Sequence, residues 1–268
     1  MRIATWNINS VRLRIDIVAD FVQRYQPDIL CLQEIKCIED AFPLKRIRAL
    51  GFDYVGIHGQ KGYHGVATMA RISGETHTRH DFCEVGDARH LASDFNIGGK
   101  RLRVHNFYVP AGGDEPNPDL NAKFAHKLAY LDEMRGWAVD GQHIAGADHA
   151  IVLGDLNIAP HADDVWSHKQ LLNVVSHTPV ETEGLLAVQA AGNFIDLARE
   201  DALRPDSLYT WWSYRAKDWE ASNRGRRLDH IWTSADLATR CNRFSILSEA
   251  RGWDRPSDHV PVIAEFDI

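Results

Sequence analysis

Apolar and polar residues follow two rhythms along this chain. Alternating or short continuous apolar runs fall at residues 2–8, 28–34, 51–58, 65–71, 91–97, 101–109, 228–233 and 260–267, and each predicts a strand. Another run, Ile151-Val152-Leu153, stops at Gly154 and predicts a buried strand that leaves its sheet before Pro160. Residues 244–247 predict one more. The helical rhythm is rarer. Val11, Ile15, Val18, Val22 and Tyr25 recur at helical spacing, and Pro27 closes that helix. Leu120, Phe124, Leu128 and Leu131 predict a second helix, with Asn117 as cap and Pro118 as first residue, and residues 182–191 a third. Many strands and few helices, never strictly alternating, predict two packed sheets with helices outside. No repeat, low-complexity tract or linker divides the chain, and the acidic stretch 111–118 reads as a loop. Residues 1–268 are therefore expected to form one domain.

Polar side chains gather where the apolar runs end. Asn7 and Asn9, then Gln33 and Glu34, then Tyr108, Asp155 with Asn157, Asp229 with His230, and Asp258 with His259 all stand at such exits. The two-residue pleat puts Asp155 and Asn157 on one face. A carboxylate beside a carboxamide offers one group to take a proton and one to orient a ligand, which suits attack of water on a phosphodiester. Each residue alone has a plainer explanation. Asp and Asn end strands in turns, Asn7 can cap a turn, Glu34 can be a surface carboxylate, and Asp258 can open an Asx-turn. Several separate segments ending in the same chemistry point instead to one cleft along one edge of a sandwich. That cleft would hold carboxylates for a hard divalent cation, amides to orient ligands, and a histidine paired with an aspartate.

Composition narrows the class. Hydrophobic residues make up 44% of 268, enough for a substantial core. The net charge of -7 excludes a uniformly basic coat but leaves room for one basic face. Cys31, Cys37, Cys83 and Cys241 are scattered without CxxC spacing, as reduced thiols of a cytosolic protein are. No apolar run approaches the roughly 18 residues a membrane span needs. Ordered structure is expected from Ile3, leaving no room for a targeting peptide. The expectation is a cytoplasmic protein with no membrane contact.

The stretches TWNIN, PDILCLQE, GQKGYHGVA, NFYVP, GDLNIAP, YTWWSYR, NRGRRLDHIW and SDHVPV run in order from residue 5 to 262. Through them the sequence resembles the exonuclease III family of AP endonucleases, within the endonuclease/exonuclease/phosphatase superfamily. The resemblance implies a four-layer α/β sandwich, two mixed β-sheets packed face to face with outer helices. It also implies hydrolysis of DNA phosphodiesters with Mg²⁺, for which Mn²⁺ can substitute. The reactions would be incision 5′ to abasic sites and removal of 3′ nucleotides or 3′ blocking groups. The partner would be double-stranded DNA with abasic sites or damaged 3′ ends, bound by a monomer.

Residue by residue, the resemblance makes Glu34 the principal metal ligand, with Asn7 and Asp258 beside the ion. Asp155, Asn157 and His259 would bind a second ion if there is one. Asp155 would hold or deprotonate the attacking water, and Asn157 would orient it or contact the phosphate. His259, polarised by Asp229, would bond the phosphate or act as the alternative base, and Tyr108 would bind the phosphate or assist the leaving oxygen. DNA contacts would come from Lys61, Arg89, Arg215, Lys217, Arg224, Arg226 and Arg227, and Trp211 would pack on an extruded abasic sugar. Two departures stand out. Ala111 replaces a polar residue ahead of an acidic loop where DNA should pass, and Arg226 stands where relatives often carry a large aromatic. Two other readings are an RNA 3′ exonuclease or phosphatase of the superfamily, and a DNA-binding scaffold without catalysis. The scaffold would be expected to lack one or more of Glu34, Asp155, Asn157, Asp258 and His259, and all five are present.

Overall fold

A computed structural model describes residues 1–216 and 218–268; Lys217, read above as a DNA contact, lies outside the described residues. The strands are β1 (Arg2–Asn7), β2 (Ile29–Gln33), β3 (Tyr54–His58), β4 (Val66–Ala70), β5 (Gly74–Thr78) and β6 (His90–Ile97). They continue as β7 (Lys100–Tyr108), β8 (His149–Asp155), β9 (Ile195–Asp196), β10 (Asp229–Thr233), β11 (Cys241–Ile246) and β12 (Val262–Phe266). Helices are α1 (Ile15–Tyr25), α2 (Leu44–Ala49), α3 (Ala122–Val139), α4 (His168–Leu171), α5 (Pro179–Ala191), α6 (Trp219–Ser222) and α7 (Ala235–Ala238), besides short 3-10 turns. One six-stranded sheet has the order β11-β12-β1-β2-β4-β3, and the other β5-β6-β7-β8-β10-β9. Both are mixed, because β1 runs parallel to β2 and β7 parallel to β8 while their other neighbours are antiparallel.

The layers follow from the pleat. Ile3, Ile29, Val104, Ile151, Leu153 and Ile231 fill the space between the sheets. Ala4, Trp6, Leu30 and Leu32 alternate with them and meet Val18, Phe21 and Val22 of α1 on the outer face. On the far side Val152, Phe107 and Trp232 pack under Tyr130, Met134 and Leu185 of α3 and α5. This is the four-layer α/β sandwich. Its strands are apolar on both faces because both faces are covered.

Inward-facing positions change character toward one edge. Ile3 gives way to Thr5 and Asn7, and Ile29 to Cys31 and Gln33. Ile151 and Leu153 lead to Asp155, while Ile231 stands two residues before Thr233 and two after Asp229. Asp229 pairs in register with Asp155, and Asp155 with Tyr108. The polar ends of five strands therefore lie side by side. Gly154 allows the strands to close up there: its φ is 133°, and a Cβ would stand 2.0 Å from the carbonyl oxygen of Phe107.

Some expectations shift. The second helix begins at Ala122, not Pro118, because Asn121 rather than Asn117 caps it by accepting from the Lys123 amide. Asn117 instead closes the preceding turn, and Leu120 is left exposed. Strand β5 carried no apolar signal, since GETHT lies at a sheet edge with its side chains largely in solvent.

Candidate active site

Asn7 stands at the centre of the polar edge. Its Nδ2 donates to Glu34 Oε1 at 2.9 Å and to Asp155 Oδ2 at 2.8 Å, so one amide joins the two sheets. Its Oδ1 accepts from the Asn9 backbone, so the nitrogen, not the oxygen, faces the carboxylates. Asp155 ends β8, and Asn157 follows in left-handed backbone at φ 53°. The pleat does not align these two. Asp155 Oδ1 accepts the Asn157 amide at 2.9 Å and Oδ2 accepts Asn157 Nδ2 at 3.1 Å, so the turn that ends the strand also builds the pair.

His259 completes the cluster from a segment anchored by Trp6. The buried indole of Trp6 donates to the His259 carbonyl at 3.0 Å, and Ser257 Oγ donates to the Asn7 carbonyl at 2.7 Å. His259 Nδ1 lies 2.8 Å from Asp229 Oδ2, and its Nε2 faces Asp155 Oδ2 at 3.7 Å. Burial opposes the imidazolium, yet Asp229 and Asp155 outweigh it and raise His259 to about 10. Burial is also the main cause that raises Asp155, to about 7, against the pull of His259. Burial, with Glu34 and Asp155, pushes the Tyr108 phenol well up, so it stays protonated.

Lys36 was missed in the sequence. Its ammonium lies 2.7 Å from Glu34 Oε2 and 2.5 Å from Asn9 Oδ1, while Asn9 Nδ2 donates to Asp258 Oδ1 at 3.1 Å. Burial would raise Glu34, but Lys36 and Asn7 reverse this and lower it. The available signal was a lysine two residues beyond the glutamate, in QEIK. Asp258 Oδ2 accepts Trp211 Nε1 at 3.0 Å, which ties the aromatic wall to the polar edge.

The candidate DNA contacts divide. Lys61, Arg215 and Arg224 are exposed, and the last lies 4.7 Å from the Trp166 ring centroid. Two expectations need correction. Arg227 is buried, bonded to Asp164 and Asp196, and holds the 160s loop to β9; it presents no charge to solvent. Arg89 is buried too. It donates to Asp87 Oδ2 at 2.8 Å and sits 5.0 Å from the Tyr108 ring centroid, so it braces the tyrosine. Both were read as cleft cations because an arginine in a polar stretch looks the same in sequence whether or not a carboxylate awaits it.

A cleft of about 700 Å³ opens beside the cluster, bordered by Glu34, Asn157, Asp258 and His259 and walled by Trp211 and Leu228. Glu34, Asp155, Asp229 and Asp258 outnumber the two cations among them, Lys36 and His259. Asp155, Asp229 and His259 offer ligand atoms within 4.8 Å of one another, and Asp229 Oδ1 is buried with no partner among the described residues. Surplus oxygen ligands of this kind fit a hard divalent cation. The description of the endonuclease/exonuclease/phosphatase family matches residues 4–259. The chain belongs to that family. It is 30% identical to exodeoxyribonuclease III of Haemophilus influenzae, over 99% of this chain and all of that one. Among solved structures it is similar to an AP endonuclease from Archaeoglobus fulgidus, with a TM-score of 0.88, 30% identity and full coverage of both chains. It is equally similar to the 3′ phosphatase NExo from Neisseria bound to a product DNA hairpin, again with a TM-score of 0.88, 30% identity and full coverage of both.

Proposed function

We propose that this protein is a DNA-repair phosphodiesterase that incises 5′ to abasic sites and clears nucleotides or blocking groups from 3′ ends. The observation that carries this is the hydrogen-bonded set Glu34–Asn7–Asp155 set against His259–Asp229 at the mouth of the cleft. Asp155, raised to about 7 and held by Asn7 and Asn157, is suited to take a proton from water at neutral pH. The oxygen of that water attacks phosphorus while Asn157 orients it. Protonated His259 donates to a non-bridging phosphate oxygen, and the P–O3′ bond breaks. Tyr108, still a phenol, gives its proton to the departing 3′ oxygen.

Glu34 and Asp258 would hold Mg²⁺, or Mn²⁺ in its place; a second ion on Asp155, Asn157 and His259 would require His259 to give up its proton and Asp155 its role as base. Asn7 serves by orienting Glu34 and Asp155 through its amide nitrogen. The bound cation would neutralise charge on the phosphate and polarise it. The substrate is double-stranded DNA, with Trp211 packing on the extruded sugar, and the enzyme acts as a cytoplasmic, single-domain monomer. Among the described residues no helix is long and apolar enough to cross a membrane.

Gel analysis of one duplex carrying an abasic site, a recessed 3′ end and a 3′-phosphate tests the reading. Cleavage at the abasic site should stop in EDTA and return with Mg²⁺ or Mn²⁺. Cleavage that persists after chelation would remove the cation from the scheme. An inert abasic site beside rapid loss of 3′-phosphate would make the protein a 3′ phosphatase, like its Neisseria neighbour.

A further inference from the structure

Three residues other than glycine hold left-handed backbone beside Glu34 and Asp258: Asn9 at φ 47°, Ser10 at φ 87° and Arg255 at φ 48°. Asparagine tolerates that region, whereas serine and arginine stay in it only where their surroundings enforce it. One side chain reaches both turns. Arg14, the residue before α1, is buried. Its Nη1 donates to the Asn9 carbonyl and, at 3.4 Å, to that of Ile8. Its Nε donates to the carbonyls of Arg255 at 3.1 Å and Pro256 at 3.0 Å. Nη2 donates to Tyr214 Oη at 2.8 Å, and that hydroxyl donates in turn to the Pro256 carbonyl at 2.9 Å. Among the described residues no carboxylate pairs with Arg14, so its fork is given over to backbone and one phenol.

The two turns carry the site. Asn9 Nδ2 donates to Asp258 Oδ1 at 3.1 Å, and Asn9 Oδ1 accepts from Lys36, which pairs with Glu34 at 2.7 Å. The Ser10 amide donates to the Glu34 carbonyl at 2.7 Å. Arg14 thus grips, through the main chain, both sides of the Asn9–Asp258 bond, yet it does not itself border the cleft. We infer that Arg14 is a positioning residue for the divalent cation: by holding the two left-handed turns together it fixes Asp258 relative to Glu34. This rests on the reading above in which those two carboxylates bind the ion. Charge and position act with opposite signs here. A guanidinium near a cation site repels the ion, so removing it would by charge alone tighten binding. Losing the position of a ligand loosens binding, by about ten- to a hundredfold for groups that orient metal ligands.

The test is Mn²⁺ binding to the DNA-free protein, read from the paramagnetic resonance of the free ion, with denaturant unfolding to fix the folded fraction. Arg14→Gln and Arg14→Lys should each raise the Kd of the folded protein about tenfold or more. The lysine keeps the charge but cannot span two turns with one ammonium. The Mg²⁺ needed for half-activity should rise in step, while KM for DNA changes little. Ser10→Gly added to Arg14→Lys relieves one turn and should recover part of the lost affinity. Tyr214→Phe removes one partner and leaves the guanidinium, so it should raise the Kd by less. An unchanged or lower Kd in either Arg14 variant, even with stability lost, overturns the inference and leaves Arg14 as a structural brace; no recovery with Ser10→Gly overturns it too. If neither Arg14 variant folds, an unchanged Kd in Tyr214→Phe overturns it. No Mn²⁺ binding by the unsubstituted protein would overturn the cation reading and this inference together, whereas normal binding with insensitive variants overturns the inference alone.

Discussion

Single side chains in this protein show how strongly context decides the meaning of a residue type. His90 and His105 lie stacked in the interior with ring centroids 5.3 Å apart. The His143 carbonyl must receive a proton from His105 Nε2, so His105 Nδ1 accepts from His90 Nε2, and His90 Nδ1 accepts from the His80 amide. The chain of bonds is complete only with both rings neutral. Burial pushes His90 far down and His105 to about 3, helped by Arg103 and by the imidazoles His58, His77, His80 and His143 around them. Arg103 is itself paired with Asp94, and His80 with Glu133. These bases are depressed in the fold, so the unfolded chain binds more protons below pH 6.5 and stability falls with pH. Each ring should cost about 2 kcal/mol between pH 6.5 and 5. Urea unfolding of His90→Gln should show a pH-dependent loss smaller by about that amount; an unaltered pH dependence would mean the rings titrate normally. None of this could be read from sequence, where fourteen histidines carry no mark of which are buried. Asp155 and Asn157 were legible because a short apolar strand points at them. Arg227 was not, because its partners Asp164 and Asp196 come from a loop and a two-residue strand that no local pattern brings together.

Between elements, the outer helices reach through to the turn that carries Asn157. Lys127 of α3 and Glu181 of α5 form an ion pair with no exposure at all. Lys127 Nζ also donates to the Asn157 carbonyl at 2.8 Å and the Ala111 carbonyl at 3.3 Å. Glu181 accepts the backbone amides of Ser176 and Thr178. One buried charge pair thus sets the backbone on three sides of the cleft and holds Asn157 in its left-handed conformation. Lys127→Met should destabilise the fold by about 3–5 kcal/mol, since Glu181 is left buried and unpaired. Lys127→Met with Glu181→Leu should recover much of that stability. It should not recover turnover, because the Asn157 and Ala111 carbonyls still lack their donor. The measurements are denaturant unfolding and steady-state incision, with kcat expected to stay at least about tenfold down while KM changes little. Turnover returning together with stability would reduce the pair to a packing device. Strands such as β1, β2 and β8 were legible because burial on both faces writes a continuous apolar run. The pair was not, since a lysine four residues from Lys123 on an amphipathic helix looks like any solvated charge.

Over the whole molecule, the distribution of charge sets how DNA is held. The net charge is -7, and Arg14, Arg89, Arg103, Arg227 and Arg251 are buried in internal roles. The cleft keeps Arg215 and Arg224 as exposed cations beside Arg226, and Asp114 from the acidic loop borders the same cleft. With about three phosphate contacts, log affinity should fall against log salt with a slope of about -2.7, and a fourfold rise in salt should weaken binding about forty-fold. Trimming an undamaged 3′ end depends on this grip alone. On the proposed reading, abasic incision would add packing of the extruded sugar on Trp211, which salt does not screen. Incision should therefore exceed trimming, by a margin that widens with salt. Because Trp211 Nε1 also bonds Asp258, two substitutions are needed to separate its roles. Trp211→Phe removes only the bond and keeps an aromatic wall, so the salt-dependent margin should persist. Trp211→Ala removes both, and abasic incision should drop by a factor equivalent to about 1–3 kcal/mol of lost stacking while end trimming falls less. Both rates are measured for all three proteins at two salt concentrations. If Trp211→Phe lowers both activities as far as Trp211→Ala does, the indole acts through Asp258, and lesion preference must arise elsewhere in the cleft.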